Sequence, residues 1–506
     1  MRSTFTIACR GSWLSLAQAA IFQKKLKTLY PGIGIKINII ETSGDKEQSM
    51  PLHLVEGKDF FTREIQDQLN SNLADFAVHS MKDVSSLDFF AAGHYAIIDR
   101  EQLHDVAIFN PNIIDKIQRG EKIIIGTSSP RRSNMATGFL KKALPKWNEQ
   151  AITIEAQSIR GNVDTRLQKL HDGQYDGIIL AAAGLNRLLQ YEPAIEKVSG
   201  LLKDKKLMIL PLFECPPAAG QGAIVAETNK DNAEAIAILN AINEPSLTEA
   251  ITKERVYAQR YGYGCSQQFG VLHLDTANTS FTYASGKDGD ATAFTEWDFN
   301  STLDIAGKKL FAATDHMKAF FNYDLLDDVA IDENMSTFFI SSHKAVHSKK
   351  IKKAVQQKRV WAAGTKTWYD LAKKGIWVEG CADGLGFAFL DAVFKSPLVN
   401  IDTNNIQIIT NTSSEQNWKQ EHINAVGTYQ LKGNLSEPIK KMLSEADIIF
   451  WTSFQQYELC QPFIKANVQH VCPSGRTAKL LMERGIQPVT FPTIKAFIDW
   501  MLKVEG

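Results

Sequence analysis

Ile123-Ile124-Ile125-Gly126-Thr127-Ser128-Ser129-Pro130-Arg131-Arg132 reads as a short apolar strand, a polar turn and the opening of a helix. A brief apolar run bounded by turn residues suits a strand buried on both faces. Ser and Thr offer acceptors to the free N–H groups of a helix start, and Pro fits its first turn. A strand feeding straight into a helix is the unit of layered α/β structure. The unit recurs outward from this stretch. Apolar runs at Phe5–Cys9, Ile35–Ile40, Phe76–His79, Ala96–Asp99, Val106–Phe109, Ala151–Ala156 and Gly177–Ala181 predict further strands, and Ser12–Tyr30 has helical spacing. Strand-rich segments on both sides of residue 100 predict two similar α/β lobes.

The chain has 506 residues, which at roughly 150 residues per domain predicts three or four domains. Hydrophobic residues are 44% and charged residues 22%, which excludes collagen-like, disordered and disulfide-scaffold classes. Lys+Arg and Asp+Glu are 56 each, so no overall charge draws the chain to nucleic acid or anionic lipid. Neither is expected as a partner. The six cysteines are scattered without a CxxC pair, poor arithmetic for disulfides or a zinc site. No apolar run approaches the ~18 residues of a spanning helix, and the first residues lack the apolar core of a signal peptide. A cytoplasmic monomer without metal is expected.

Beyond residue 230 the pattern changes. Asn232–Leu239 and Leu247–Arg260 look helical, and Val271–Asp275 and Ser280–Ala284 look like strands, which predicts a smaller α+β domain. Asn322–Asn334 is acidic and poorly periodic, and reads as a linker. The last 170 or so residues hold an internal repeat: Phe338-Phe339-Ile340-Ser341-Ser342 is echoed by Ile449-Phe450-Trp451-Thr452-Ser453, and Ala363-Gly364-Thr365-Lys366-Thr367 by Ser474-Gly475-Arg476-Thr477 at nearly equal spacing. Two α/β lobes facing a cleft follow from it.

Cations sit where strands should end: Arg10, Lys82, Arg131, Arg132, Arg160, Arg166 and Arg187. Ligands of open α/β sheets bind beyond the carboxyl ends of the strands, so these residues predict a cleft for a ligand with several carboxylates or phosphates. No Walker or GxGxxG pattern points to a nucleotide. Asp83 is a carboxylate among the cations, suited either to a structural ion pair or to moving protons and stabilising a transient cation. Cys265, on a Gly-rich turn after a long helix, is either a reactive thiol or a buried inert one. His343 and His347, four apart among lysines, read as an exposed basic segment rather than a metal site.

Taken together, Arg10-Gly11-Ser12, Gly57-Lys58-Asp59-Phe60-Phe61-Thr62-Arg63-Glu64, His79-Ser80-Met81-Lys82-Asp83-Val84, Gly126–Arg132, Ile159-Arg160-Gly161-Asn162-Val163-Asp164-Thr165-Arg166-Leu167, Leu180–Leu188 and Pro217–Ala223 resemble the porphobilinogen deaminase (hydroxymethylbilane synthase) family from about residue 4 to 320. The resemblance implies two periplasmic-binding-protein-like lobes (1–98 with 203–228, and 99–202) and a small α+β domain at 229–321. It implies a dipyrromethane cofactor held covalently by Cys265 through a thioether and extended by four porphobilinogen units with loss of ammonia. Asp83 matches the catalytic aspartate. Lys82, Ser128, Ser129, Arg131, Arg132, Arg160 and Arg187 match cofactor-binding positions, and Arg10, Ser12, Lys58, Phe61 and Arg166 match substrate-binding ones.

After a linker at 322–335, residues 336–506 resemble the uroporphyrinogen III synthase family, a two-lobed α/β fold with a double crossing. That resemblance implies cyclisation of hydroxymethylbilane, with Ser342, Thr367, Ser453, Tyr457 and Thr477 in the cleft. Arg476 stands where that family has a small residue, and no counterpart of the family's opening portion is found before residue 336. The reading is thus a bifunctional enzyme of tetrapyrrole synthesis acting on the small molecules porphobilinogen and hydroxymethylbilane. Its rivals are a deaminase with an inactive or structural C-terminal part and a non-catalytic two-lobed anion binder.

Overall fold

The computed structural model describes residues 2–42, 63–84, 93–147, 151–261 and 267–505. The first sheet has the order β2-β1-β3-β10-β4. Strands β1 (Thr4–Arg10), β2 (Gly34–Ile40) and β3 (Phe76–Ser80) run parallel, while β10 (Ala223–Asn229) lies antiparallel between β3 and β4 (Gly93–Arg100). Phe5, Ile7 and Cys9 of β1 alternate onto one face and are fully buried with Phe22 and Leu26 of helix Trp13–Leu29. The period of two in the strand and the apolar stripe of the helix make this core.

The second sheet has the order β7-β6-β8-β5-β9, built from β5 (Asp105–Phe109), β6 (Ile123–Gly126), β7 (Ile154–Gln157), β8 (Gly177–Ala181) and β9 (Lys206–Ile209). Two boundaries differ from expectation. Residues 203–209 stay with the second sheet, because β9 pairs with β5, and the chain returns to the first sheet only at β10. Helix Ala233–Ile242, expected in the small domain, packs Ala235, Ile238, Leu239 and Ile242 into the core of the first sheet.

The small domain is the antiparallel sheet β11-β12-β13 (Gln268–Asp275, Ser280–Lys287, Ala293–Phe299) against helix Pro245–Tyr261. It lies directly on the returning segment: Val271 N donates to Pro217 O at 2.8 Å, and a Cβ on Gly270 would stand 2.0 Å from Pro216 O. Glu254 of that helix is fully buried, takes the Arg100 guanidinium at 2.8 and 2.9 Å, and accepts from Gly220 N and His273 N at 2.8 Å each. One carboxylate thus ties the crossing between the lobes to the small sheet.

The C-terminal part has two halves. The first carries the sheet β15-β20-β19-β16-β17-β18 (Phe321–Leu325, Ala425–Gly433, Ile406–Asn411, Thr337–Ile340, Arg359–Ala362, Gly380–Cys381), and the second carries β14-β21-β22-β23 (Leu310–Ala312, Ile448–Phe450, Gln469–Pro473, Val489–Phe491). All neighbours are parallel except β15. The chain crosses between halves at 313–320 and again at 434–436, and Asn434 N donates to Phe320 O at 2.8 Å where the crossings meet. This corrects two expectations. The stretch 322–335 is not only a linker, because β15 pairs along β20, and the small domain does not run on to 321, because β14 pairs with β21. β14 has three residues, too few to show a period, and β15 alternates Phe321, Tyr323 and Leu325 with Asn322 and Asp324 at the start of an acidic stretch that hides it.

The first half is welded to the second lobe. The edge strands β9 and β18 approach so that Ile209 N donates to Glu379 O at 2.7 Å. Trp368 and Trp377 donate their indole N–H groups to Ala143 O and Leu207 O, both at 3.1 Å. Phe139 meets Trp368 edge-on at 5.0 Å and Phe109 meets Trp377 at 5.5 Å. Aromatic pairs of this kind add about 0.5–1.5 kcal/mol each beyond their burial, and one continuous apolar core runs through both sheets.

Candidate active site

Each lobe delivers its polar residues at strand ends. Arg10 closes β1, and Ser12 caps helix Trp13–Leu29, accepting from Ser15 N at 3.3 Å. After β3 a single 3₁₀ turn, Met81–Asp83, sinks Met81 into the core and leaves Lys82 half-buried and Asp83 exposed. From the second lobe come Arg132 at the start of helix Pro130–Ala143, Arg160 in the loop after β7, Arg166 in helix Val163–His171 and Arg187 in helix Ala182–Leu188. These eight residues line one open cavity of ≈ 240 Å³ between the sheets.

The other expected residues are placed differently. Arg131 is buried, donating to Asp105 Oδ2 at 2.8 Å and Pro216 O at 2.6 Å, and does not line the cavity. Consecutive helix positions point about 100° apart, so of the Arg131–Arg132 pair one faces the cavity and one the interior. Ser128 binds the facing loop instead, donating to Ile159 O at 2.6 Å and accepting from Ile159 N at 3.1 Å. Ser129 caps the helix, accepting from Arg132 N at 3.4 Å. Both set the position of the arginine loops rather than the cavity wall. Lys58, Phe61 and Cys265 lie outside the described residues.

The cationic wall is held by acids that the sequence analysis did not single out. Asp105, 1% exposed, takes Arg132 at 2.7 Å on its second oxygen together with Gln221 Nε2 at 3.0 Å. Burial opposes its charge, but Arg131 and Arg132 outweigh burial and hold the carboxyl well below its usual range. Arg187 donates to Asp99 Oδ2 at 2.8 Å and Gly222 O at 2.7 Å. Gly222 has φ +82° and a Cβ there would lie 2.5 Å from Glu101 O, so the carbonyl can be offered only by glycine. Asp105 heads the apolar strand Val106–Phe109, a misplaced charge that could have flagged it.

Burial and neighbouring like charge act together at two positions. Burial, then Arg132 and Arg160, push the Arg166 guanidinium down to about 10, with Asp83 opposing. Burial also lowers the Lys82 amine, with Asp83 and Asp105 opposing and Arg132 and Arg131 adding to the fall. Asp83 is therefore within electrostatic reach of both Lys82 and Arg166. The second acid of the lining, Asp164, faces Lys197 at 3.1 Å. The Nε atoms of Arg132 and Arg187 are buried and lack an acceptor among the described residues. Guanidinium donors in search of acceptors fit a ligand rich in carboxylates.

The C-terminal halves face each other by strand ends. Ser342 follows β16 and accepts from Lys344 N at 3.4 Å, and Thr367 lies in the first turn of helix Thr365–Ala372 after β17. Ser453 follows β21 and caps helix Phe454–Cys460, and Thr477 is buried in the first turn of helix Arg476–Glu483 after β22. Tyr457, expected in the cleft, is 5% exposed and packs among Trp451, Phe454 and His470, because it shares the inner face of its helix with Phe454. Arg476 reaches over to the other half, 3.3 Å above the Trp418 ring and 2.8 Å from Glu421 Oε1. Gln455 Nε2 donates to Ser414 Oγ beside it at 2.8 Å.

Among the described residues no helix is long and apolar enough to cross a membrane, and no group of three or more His, Cys, Asp or Glu could hold a metal ion. Among solved structures the chain is similar to a uroporphyrinogen-III synthetase from Helicobacter pylori (17% identity, TM-score 0.25, 37% of this chain and 91% of that one). It is also similar to a polar amino acid ABC transporter substrate-binding protein from Streptococcus thermophilus (12% identity, TM-score 0.28, 52% and 88%). The family profile "Porphobilinogen deaminase, dipyromethane cofactor binding domain" matches residues 5–237. Porphobilinogen deaminase of Chromobacterium violaceum is 32% identical over 325 residues, 61% of this chain and 96% of that protein. A probable porphobilinogen deaminase of Methanocella arvoryzae is 38% identical over 267 residues, 52% and 78%. With an arginine-walled cavity at the strand ends and a relative matched over nearly its whole length, the chain belongs to the porphobilinogen deaminase family, whose cofactor is dipyrromethane.

Proposed function

We propose that this chain carries out two consecutive steps: it condenses four porphobilinogen units into hydroxymethylbilane in the first cavity, and its C-terminal cleft closes that product to uroporphyrinogen III. The dipyrromethane, bound through Cys265, supplies the terminal pyrrole carbon onto which each new unit is joined. Asp83 is the acid/base. Its carboxylate stabilises the cation left when porphobilinogen loses ammonia and then takes the proton from the newly bonded pyrrole carbon. Arg10, Ser12, Lys82, Arg132, Arg160, Arg166 and Arg187 grip the carboxylates and fix the two reacting carbons in line with Asp83. Lys58 and Phe61 complete substrate binding.

The observation that carries the second step is the repeated unit: strand ends bearing Ser342 and Gly364 face strand ends bearing Ser453 and Gly475, with two crossings side by side. Such a site takes a flexible chain between two lobes and sets which ends meet. Tethering it to the site that releases an unstable open product gives an effective concentration on the order of millimolar. One observation favours a different reading, a C-terminal part that only supports the deaminase: Arg476 and Gln455 already bridge the halves. Incubation with porphobilinogen alone, oxidation and separation of uroporphyrin isomers decides between them. Mostly type III isomer is expected, and mostly type I would leave a deaminase with a structural C-terminal part.

A further inference from the structure

The cation that the second C-terminal half brings to its cleft, Arg476, is engaged with Glu421 and Trp418. The first half has cations to spare. Strands β16 and β17 are neighbours, Ile340 beside Ala362, and the segments that leave them touch: His343 Nδ1 lies 3.2 Å from Asp370 Oδ2. This contact brings the turn that carries Lys344, two residues past the Ser342 strand end, against the helix that carries Lys366, next to Thr367. Asp370 is already shared with Lys373 at 2.9 Å. Lys344 is half-buried with its ammonium 4.0 Å from the centre of the Tyr323 ring. Among the described residues neither Lys344 nor Lys366 makes an ion pair. Burial and Lys366 both push the Lys344 amine down, and burial with Lys374, Lys344 and Lys366 lowers His343 against the pull of Asp370.

Like charges held together at the carboxyl ends of parallel strands, one of them partly desolvated, cost stability until an anion joins them. We propose that Lys344 and Lys366 are carboxylate-binding residues of the C-terminal cleft, holding side-chain acetate or propionate of a linear tetrapyrrole. The assignment rests on the cyclisation reading above. Ammonium groups on flexible stems suit a ligand whose carboxylates shift as its ends are brought together. The pair supplies binding rather than bond-making, so its loss raises KM and leaves kcat.

The test uses the full chain supplied with hydroxymethylbilane, comparing wild type with the double variants Lys344→Ala/Lys366→Ala and Lys344→Arg/Lys366→Arg. Porphobilinogen consumption in each variant reports that it is folded. The alanine pair is expected to raise KM for type III formation at least tenfold with kcat within twofold and a weaker dependence on salt, and the arginine pair to keep KM within threefold of wild type. A wild type that makes type III together with an alanine pair of unchanged KM overturns the assignment alone. A wild type that makes no type III from supplied hydroxymethylbilane overturns the cyclisation reading and the assignment with it.

Discussion

The cavity between the first two sheets and the cleft between the C-terminal halves are both built where parallel strands end, but they are held in different ways. In the first, arginines are buried and locked by carboxylates from other elements, Arg131 and Arg132 by Asp105 and Arg187 by Asp99. Donors fixed by such pairs need little rearrangement to meet charge, which is the condition for electrostatic stabilisation of a charged transition state. In the second, the strand ends carry Ser342, Ser453 and Thr477, and the bridging contacts run from one half to the other. Contacts of this kind are weaker than the buried locks of the first cavity, because the Arg476–Glu421 pair is partly exposed.

The comparison breaks most sharply at Asp83. Asp83→Asn is expected to slow porphobilinogen consumption by about 10²–10⁴-fold, the usual worth of general acid–base catalysis, while type III formation from supplied hydroxymethylbilane stays within twofold. Equal loss of both activities would show the two sites to be one. Next is the lock itself. Asp105→Asn leaves two buried guanidinium groups without their carboxylate, and denaturant unfolding is expected to show a loss of about 3–5 kcal/mol.

Asp383 tests the seam between the two regions. It is 7% exposed, accepts from Leu212 N at 3.1 Å, and burial pushes its carboxyl up to about 7. A folded pKa above the unfolded one means that stability is complete near pH 4 and falls as pH rises through about 7. Asp383→Asn removes that fall, so its unfolding midpoint should match wild type near pH 4 and exceed it by an equivalent of about 2–4 kcal/mol at pH 8. The smallest effect is at the bridge. Arg476→Ala loses a cation–π contact and a partly exposed ion pair, on the order of 1 kcal/mol. Amide exchange in 412–421 and 476–483 should quicken about fivefold with porphobilinogen consumption unchanged.

Much of this was legible in local sequence, and what was not has a common cause. Ser12, Ser129 and Ser453 announce helix starts because capping is a contact between near neighbours. Strand ends follow from the same punctuation, so Arg10, Lys82, Asp83, Arg132, Arg160, Arg166 and Arg187 could be placed at one edge of the sheets. Nothing local tells that Asp105 would claim Arg131, or that β14 and β15 pair with strands more than a hundred positions later. Tyr457 was misplaced for a similar reason: one turn of helix phase decides between cleft and core, and only the surrounding Trp451 and His470 fix the phase. Long-range partners choose among the options that local chemistry leaves open.

The meeting of β9 with β18 has a consequence for how the molecule is made. On the ribosome the strands of the first two lobes emerge long before Gly380–Cys381 is synthesised. Until then the nascent chain carries an unpaired sheet edge beside Phe109, Phe139 and Met208, a surface that invites intermolecular pairing. Cutting the chain between its two parts would make that transient exposure permanent, so the deaminase half expressed alone should depend on chaperones and partition into insoluble aggregates.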